Sequence, residues 1–406
     1  MNSFKAQPYL LKGTLQHYAW GTQNKDAFIP HFINIPVERD TPYAELWMGA
    51  HPKAPSTLAL DNNNMPLDKC IEMFPEEILG KAIFARFKQL PFLFKVLSAA
   101  QALSIQAHPN KAQAEKLHMQ DPEHYPDDNH KPEIAIALSN LTALAGFKSF
   151  DSLINTLENY PEINRFIGAD ILSEMKNGQN LSEEQQKPLV KKMYSRLMRK
   201  SLAEKKELLR AIENLALRLS QKKNLGPVEK KFLELRDIYP GADSGLFSLF
   251  LLHLVVLKSG QGLFLKAGLP HAYLKGDIVE CMANSDNVVR AGLTPKFQDV
   301  DALLDILTYE TSPVEIQQGN YKNGELVYDT PVPEFQISRI DLNKNVVIQK
   351  TNSVQILLIT QGQITISWVD NETSYTKGQS VLIPACLSEF VIKSSATAHV
   401  FRVHVP

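Results

Sequence analysis

Ser104, Gln106 and His108 occupy alternate positions in the run Leu103-Ser-Ile-Gln-Ala-His-Pro109. On an extended strand these three side chains share one face, while Leu103, Ile105 and Ala107 share the other. Three polar groups on one face need solvent, partners or a ligand, because burying them unpaired is costly. A solvent-facing strand would account for this pattern by itself. Farther along, His130-Lys-Pro-Glu133 leads into the apolar run Ile134–Leu138. Pro132 biases Lys131 towards an extended conformation, so the tetrad reads as a turn or the start of a strand. Ordinary turn polarity would also explain its His, Lys and Glu.

A third cluster begins with Leu263-Phe-Leu-Lys-Ala-Gly-Leu-Pro-His-Ala-Tyr273, read as a strand, a Gly/Pro corner and then His271. Gly276-Asp-Ile-Val-Glu280 follows as a further strand of alternating polarity, and Asn284-Ser-Asp-Asn-Val-Val-Arg290 comes after it. Arg290 and Lys296 are by default surface charges. Brought together they would clamp a phosphate, Arg through its planar fork and Lys as a point charge. Gln106, His108, Glu133 and His271 are donor types suited to a divalent metal. Imidazole plus carboxylate suits zinc, with a position left open for water or substrate at a catalytic site. Spacing alone leaves the set open, because His271 lies far along the chain from the others.

These residues need strands to carry them, and most of the chain outside one block reads as strand. Tyr18–Gly21, Ala44–Gly49, Leu90–Ser98, Ala102–His108 and Glu133–Leu138 are short apolar runs bounded by Pro and Gly. Such runs read mostly as strands. Asn110-Lys-Ala-Gln113, behind Pro109, has capping-box spacing and predicts a helix start. From about 150 to 258 the grammar turns helical. Ser182-Glu-Glu-Gln185 and Ser201-Leu-Ala-Glu204 have capping-box spacing, and Leu189, Met193 and Leu197, then Leu208, Ile212, Leu215 and Leu219, recur at helical period. The Lys and Arg residues on the opposite faces read as solvated helix surface. Leu246–Leu257 reads as a buried helix, too short for the roughly 20 apolar residues of a membrane span.

Towards the end, Val346–Lys350, Val354–Thr360, Ile364–Val369, Ser380–Ile383, Phe390–Lys393 and Val400–Val405 are short β-branched runs. They are separated by turn pairs such as Gln361-Gly362 and Lys377-Gly378. Ile364-Thr-Ile-Ser-Trp368 alternates with period two, so one face is buried. Strands so spaced predict a sandwich or jelly roll.

Composition removes several function classes. The 406 residues suggest two or three domains, and 44% hydrophobic with 21% charged residues is the balance of a folded protein. Forty-three basic against 44 acidic residues leave no global field for nucleic acid. Cys70, Cys281 and Cys386 are scattered and odd in number, which excludes a disulfide framework or a CxxC metal site and reads as buried small hydrophobes. Met1–Leu10 lacks a basic-then-apolar signal layout, which predicts a cytoplasmic protein with no membrane partner.

Gln16-His-Tyr-Ala-Trp-Gly21, Glu45-Leu-Trp-Met-Gly49 with His51-Pro52, and Pro91-Phe-Leu-Phe-Lys-Val-Leu97 resemble the type I mannose-6-phosphate isomerases (phosphomannose isomerases). So do Ala102-Leu-Ser-Ile-Gln-Ala-His-Pro109, Tyr125-Pro-Asp-Asp-Asn-His-Lys-Pro-Glu133, Pro270-His-Ala-Tyr273 and Ser285-Asp-Asn-Val-Val-Arg-Ala-Gly-Leu-Thr-Pro-Lys296. The motifs keep the family's order, and several are long and non-degenerate. Two departures, Leu269 before Pro270-His271 and Lys53-Ala54 after His51-Pro52, touch no proposed ligand.

The resemblance implies a mainly β protein of the cupin superfamily with a helical insertion. Residues 1–150 would start a catalytic cupin barrel, 151–258 form the helical insertion, 259–320 complete the barrel, and 321–406 form a jelly-roll-like β domain packed outside the site. It implies one Zn²⁺ per chain on Gln106, His108, Glu133 and His271. It places the catalytic residues on Arg290, Glu280 and Lys131, and substrate contacts on Ser104, Tyr273, Lys296 and Trp20. The implied enzyme is a monomer acting on a small sugar phosphate, mannose 6-phosphate to fructose 6-phosphate, in carbohydrate metabolism leading to GDP-mannose. Such an isomerisation moves a proton between C1 and C2 through an enediolate, with Lys131 or Glu280 as base and a metal as Lewis acid. A metal-assisted hydride shift is the alternative chemistry for the same residues. Two other classes stand beside it: a non-haem iron cupin dioxygenase, since two His and one carboxylate meet that ligand composition, and a non-catalytic sugar-binding cupin.

Overall fold

The computed structural model describes residues 4–60, 63–343, 346–350 and 353–406. The chain is mainly β, with its longest helices, Glu183–Ala203 and Lys205–Ser220, in a helical block between residues 150 and 251. Among the described residues the strands form three sheets. The first is organised around one long strand, His271–Ala283. Its first half pairs with Ile105–Ala107 and Leu141–Phe147, and its second half with Phe92–Ala99 and Glu133–Ala137. The change of partners falls at Gly276, where φ is +134° and a Cβ would sit 2.5 Å from the Asn140 carbonyl oxygen. Only glycine bends the strand there without a clash.

Leu252–Leu257 pairs with Leu141–Phe147, and Gly262–Leu265 with Glu133–Ala137, so strands from both sides of the helical block interleave in one barrel. All five residues of Glu133–Ala137 are buried, on two different faces. Ala135 and Ala137 join the barrel interior with Leu263, Leu265 and Tyr273. Ile134 and Ile136 pack outwards, against Ile337, Ile356, Leu382 and Phe401 of the C-terminal β unit. The C-terminal unit therefore lies on the reverse side of the strand that begins with Glu133.

The second sheet crosses the linear order of the chain. Tyr9–Lys12 pairs with Ser380–Ile383, and Thr57–Leu60 pairs with Tyr9–Lys12, so N-terminal strands complete a sheet otherwise built from residues after 320. Tyr9 and Leu11 alternate with exposed neighbours and deliver two side chains to the shared core. The third sheet holds Val346–Lys350, Glu389–Lys393, Gln363–Trp368 and Asn371–Thr376. It closes the jelly-roll sandwich over Ile340, Leu357, Ile364, Ile366 and Phe390. The turn glycines Gly362 and Gly378 have φ of +76° and +87°.

Several local expectations need correction. Tyr18–Gly21 is a turn, closed by Gly21 N–H donating to the Tyr18 carbonyl at 2.9 Å; Gly21 is there to let Ala44 approach. Leu246–Leu257 is two elements: helix Gly245–Leu251, then strand Leu252–Leu257. Its apolar residues, broken only by Ser248 and His253, carry no period that divides helix from strand, and Val255-Val256 was the strand cue. Ser201 starts no helix; it lies in the last turn of Glu183–Ala203, its hydroxyl donating to the Leu197 carbonyl at 2.7 Å. The helices Leu67–Met73, Pro75–Leu79 and Lys81–Phe87 interrupt a segment read as strands. Elsewhere the reading holds. Asn110 and Gln113 form their capping box, and Leu208, Ile212, Leu215 and Leu219 are buried. Cys70 and Cys281 are buried thiols, and Cys386 is partly exposed. Among the described residues no helix is long and apolar enough to cross a membrane.

Candidate metal centre and active site

The backbone ladder brings distant residues side by side. Gln106 pairs with both His271 and Arg290, so three neighbouring strands present these residues in one row. His108 follows directly after Ile105–Ala107, and Glu133 opens its own strand. Ligand atoms of His108, Glu133 and His271 all lie within 4.8 Å of one another, and all three residues are buried. His271 Nε2 is 3.0 Å from Glu133 Oε1, and His108 Nε2 is 3.5 Å from Glu133 Oε2.

The second nitrogen of each ring settles its tautomer. His108 Nδ1 lies 2.8 Å from the Asn287 carbonyl, and His271 Nδ1 lies 2.9 Å from the Leu269 carbonyl. A carbonyl only accepts, so each Nδ1 carries the proton and each Nε2 keeps its lone pair. Both Nε2 atoms are buried without a hydrogen-bond donor. Burial, with Lys131 nearby, pushes His108 down to about 4, which keeps the ring neutral at pH 7. Burial opposes ionisation of Glu133, but the Lys131 ammonium leads the groups that hold its carboxyl well below the usual range. Two imidazole Nε2 atoms and a carboxylate converging on one point, with the far ring nitrogens anchored on carbonyls, is a donor set that fits zinc.

This triad adjoins a cleft of about 700 Å³ lined by Glu133, Gln106, Ser104, Lys131, Tyr273, Glu280, Arg290, Lys296 and Trp20. Every sequence-predicted site residue thus lies in one place, His108 and His271 meeting Glu133 at its wall. Lys131 Nζ is 3.7 Å from Glu133 Oε2. The Tyr273 hydroxyl lies 3.0 Å from Glu280 Oε1 and 3.4 Å from Glu133 Oε1, linking the two carboxylates. Arg290 is half-buried and Lys296 exposed, and neither has a carboxylate partner among the described residues. Trp20 stacks on Tyr18 with ring centroids 5.9 Å apart.

Sequence reasoning missed the other half of the polar floor. Lys95 is buried between Glu280 at 3.2 Å and Glu45 at 3.6 Å, and its ammonium lies 5.3 Å from the Trp47 ring centroid. Register explains the grouping, since Lys95 stands opposite Glu280 on one neighbouring strand and opposite Trp47 on the other. Burial raises Glu280 above the ordinary carboxylate value, Lys95 pulls it back, and Glu133 raises it further. The available signal was a single lysine inside the otherwise apolar run Phe92–Leu97. At the rim, Asp286 meets Lys53 at 2.7 Å and His51 at 3.4 Å; despite its burial these hold it well below the usual range.

Comparison with known proteins agrees with this architecture along the whole chain. The family model for phosphomannose isomerase type I, catalytic domain, matches residues 9–150, and the type I helical insertion domain matches 166–252. The mannose-6-phosphate isomerase cupin domain matches 325–405. Mannose-6-phosphate isomerase of Rattus norvegicus is 40% identical, covering 92% of this chain and 93% of the relative. That of Homo sapiens is 39% identical over 89% of each. A solved zinc-bound mannose 6-phosphate isomerase superposes with a TM-score of 0.87 at 31% identity, covering 98% of this chain and 99% of the other. A variant of the phosphomannose isomerase from Salmonella typhimurium superposes equally well, with a TM-score of 0.87 at 31% identity over 98% of this chain and all of the other. On domains, sequence and fold together, the chain belongs to the type I phosphomannose isomerase family.

Proposed function

We propose that this chain is a zinc-dependent aldose–ketose isomerase that interconverts mannose 6-phosphate and fructose 6-phosphate by proton transfer. The observation that carries the reading is the convergence of His108, Glu133 and His271 at the wall of a cleft that also holds two unpaired cations, Arg290 and Lys296. Gln106, from the same wall, completes the ligand set in this reading. Zinc there supplies Lewis-acid polarisation of the sugar's carbonyl oxygen and offsets the negative charge that develops on it.

The protein's own groups supply the rest. Arg290 and Lys296 hold the phosphate and so fix which end of the sugar meets the metal wall. Glu280, its pKa raised by burial, takes the proton from C2 of the open-chain aldose and returns it to C1. The hydroxyl proton passes from O2 to O1, which completes the exchange of aldehyde for ketone. Tyr273 donates to Glu280 and fixes its orientation, and Lys95 holds the carboxylate from the other side. Lys131, 3.7 Å from Glu133, balances the ligand's charge and in this reading is not the base. Trp20 and Ser104 border the sugar, and the enzyme acts as a monomer with one zinc.

Turnover of mannose 6-phosphate in deuterated water tests the chemistry. Deuterium at C1 of the product is the expected outcome, because a proton held on Glu280 exchanges with solvent. Product free of deuterium at early conversion would instead assign a hydride shift to the same residues.

A further inference from the structure

Asp243 joins the helical block to the loop that carries Lys296. Its Oδ1 accepts the backbone N–H of Leu293 at 2.7 Å and that of Gly245 at 2.7 Å. Its Oδ2 accepts the N–H of Thr294 at 3.1 Å. Ser244, the next residue, donates its hydroxyl to the Ala291 carbonyl at 3.0 Å. The bond to Gly245 only closes a local turn ahead of helix Gly245–Leu251; the bonds to Leu293 and Thr294 reach another segment altogether.

The two segments touch backbone to backbone. A Cβ on Gly292 would lie 2.3 Å from Gly245 N, and a Cβ on Gly245 would lie 2.5 Å from Leu293 N. The loop itself is bent into unfavourable conformations. Gly292 has φ +147°, and Leu293, a buried leucine, has φ +53°, where residues with a Cβ rarely rest unless their surroundings hold them. Arg290 needs no such help, because the pairing of Val289–Gly292 with Ile105–Ala107 fixes it opposite Gln106. That ladder becomes irregular directly after Arg290. Among the described residues, the hydrogen bonds that tie Leu293 and Thr294 to another segment are those to Asp243, with Ser244 holding Ala291 just before them.

We propose that Asp243 is a positioning residue for the anion end of the cleft: it holds the Gly292–Lys296 loop in place, so that the helical block sets affinity for the phosphorylated end of the sugar. This rests on the assignment of Arg290 and Lys296 to phosphate. A carboxylate that accepts three backbone N–H groups is the right device, since charge-assisted bonds are the strong ones and no side chain of the loop is used up in making them.

The test compares Asp243→Asn, Ser244→Ala and Lys296→Ala in the zinc-loaded enzyme, reading KM for mannose 6-phosphate and the inhibition constant of inorganic phosphate. Asparagine keeps the shape but loses one acceptor. In Asp243→Asn both constants should rise together by about tenfold, with kcat and zinc content near wild type. In Ser244→Ala both should rise by about twofold or more, which carries the test if Asp243→Asn does not fold. Unchanged constants in Lys296→Ala would overturn the phosphate assignment, and this inference with it. Raised constants in Lys296→Ala, with wild-type constants in the Asp243 and Ser244 variants, would overturn this inference alone. A fall in kcat without a change in either constant would do the same.

Discussion

The Lys95 ammonium lies 3.2 Å from the Glu280 carboxylate, with both side chains buried and standing opposite each other on paired strands. Glu45 stands 3.6 Å away on the other side of the lysine. One buried cation thus serves two buried carboxylates, and the ionisation of each depends on the others.

Lys95→Met follows directly from that arrangement. Burial already raises Glu280, and removing the cation that opposes this raises it further. The acidic limb of the kcat/KM profile should therefore move to higher pH, by at least about one unit, with zinc content unchanged. A limb that stays in place would mean that Glu280 is not the group titrating there.

Arg290→Lys keeps the charge at the anion end but loses the planar fork. The expected result is a fall in kcat/KM for mannose 6-phosphate of about tenfold or more, mostly through KM. Wild-type kinetics would show that a point charge suffices, which would make a two-point grip on phosphate at this residue untenable.

Gly276→Ala tests whether the bend in His271–Ala283 positions the site. The new methyl would meet the Asn140 carbonyl, and φ +134° is strained for any residue with a Cβ. A cost of about 1–3 kcal/mol is expected, together with weaker zinc retention, because the bend sets where the ligand His271 stands relative to the strand half paired with Glu133–Ala137. Calorimetry and elemental analysis on one preparation would read both. A stable variant with full metal would show the bend to be incidental.

His404 supplies a pH dependence of stability away from the site. Burial, helped by Arg402, pushes its pKa from 6.5 down to about 3, and its Nδ1 is buried without a partner. Between those values the unfolded chain binds a proton that the folded chain refuses. Stability from this group is thus complete above pH 6.5 and is lost as pH falls, by at most about 1.4 kcal/mol per pH unit. His404→Gln should narrow the drop in melting temperature between pH 7 and pH 5. An equal drop in both proteins would remove His404 from the account.

Much of this was legible in the sequence, for identifiable reasons. Alternation of Ser104, Gln106 and His108 gave one polar face, and Pro132 placed Glu133 at a strand start. Period-two runs after residue 346 marked the jelly roll, because one face of each strand is buried. What stayed hidden depends on pairing between distant segments. Nothing local says that Tyr9–Lys12 will pair with Ser380–Ile383. Nor does it say that Lys95 will face Glu280, or that Asp243 will accept from Leu293. The run Leu246–Leu257, interrupted only by Ser248 and His253, failed for a different reason, since apolar residues on every side leave its helix and strand looking alike.

The most direct measurement of the central claim is a zinc titration of chelated, metal-free protein, followed by the appearance of fructose 6-phosphate from mannose 6-phosphate. Activity should be absent without metal and return in proportion to zinc up to one ion per chain, while His271→Ala should recover neither metal nor activity. Undiminished turnover in the zinc-free protein, or a full complement of zinc in His271→Ala, would contradict the account.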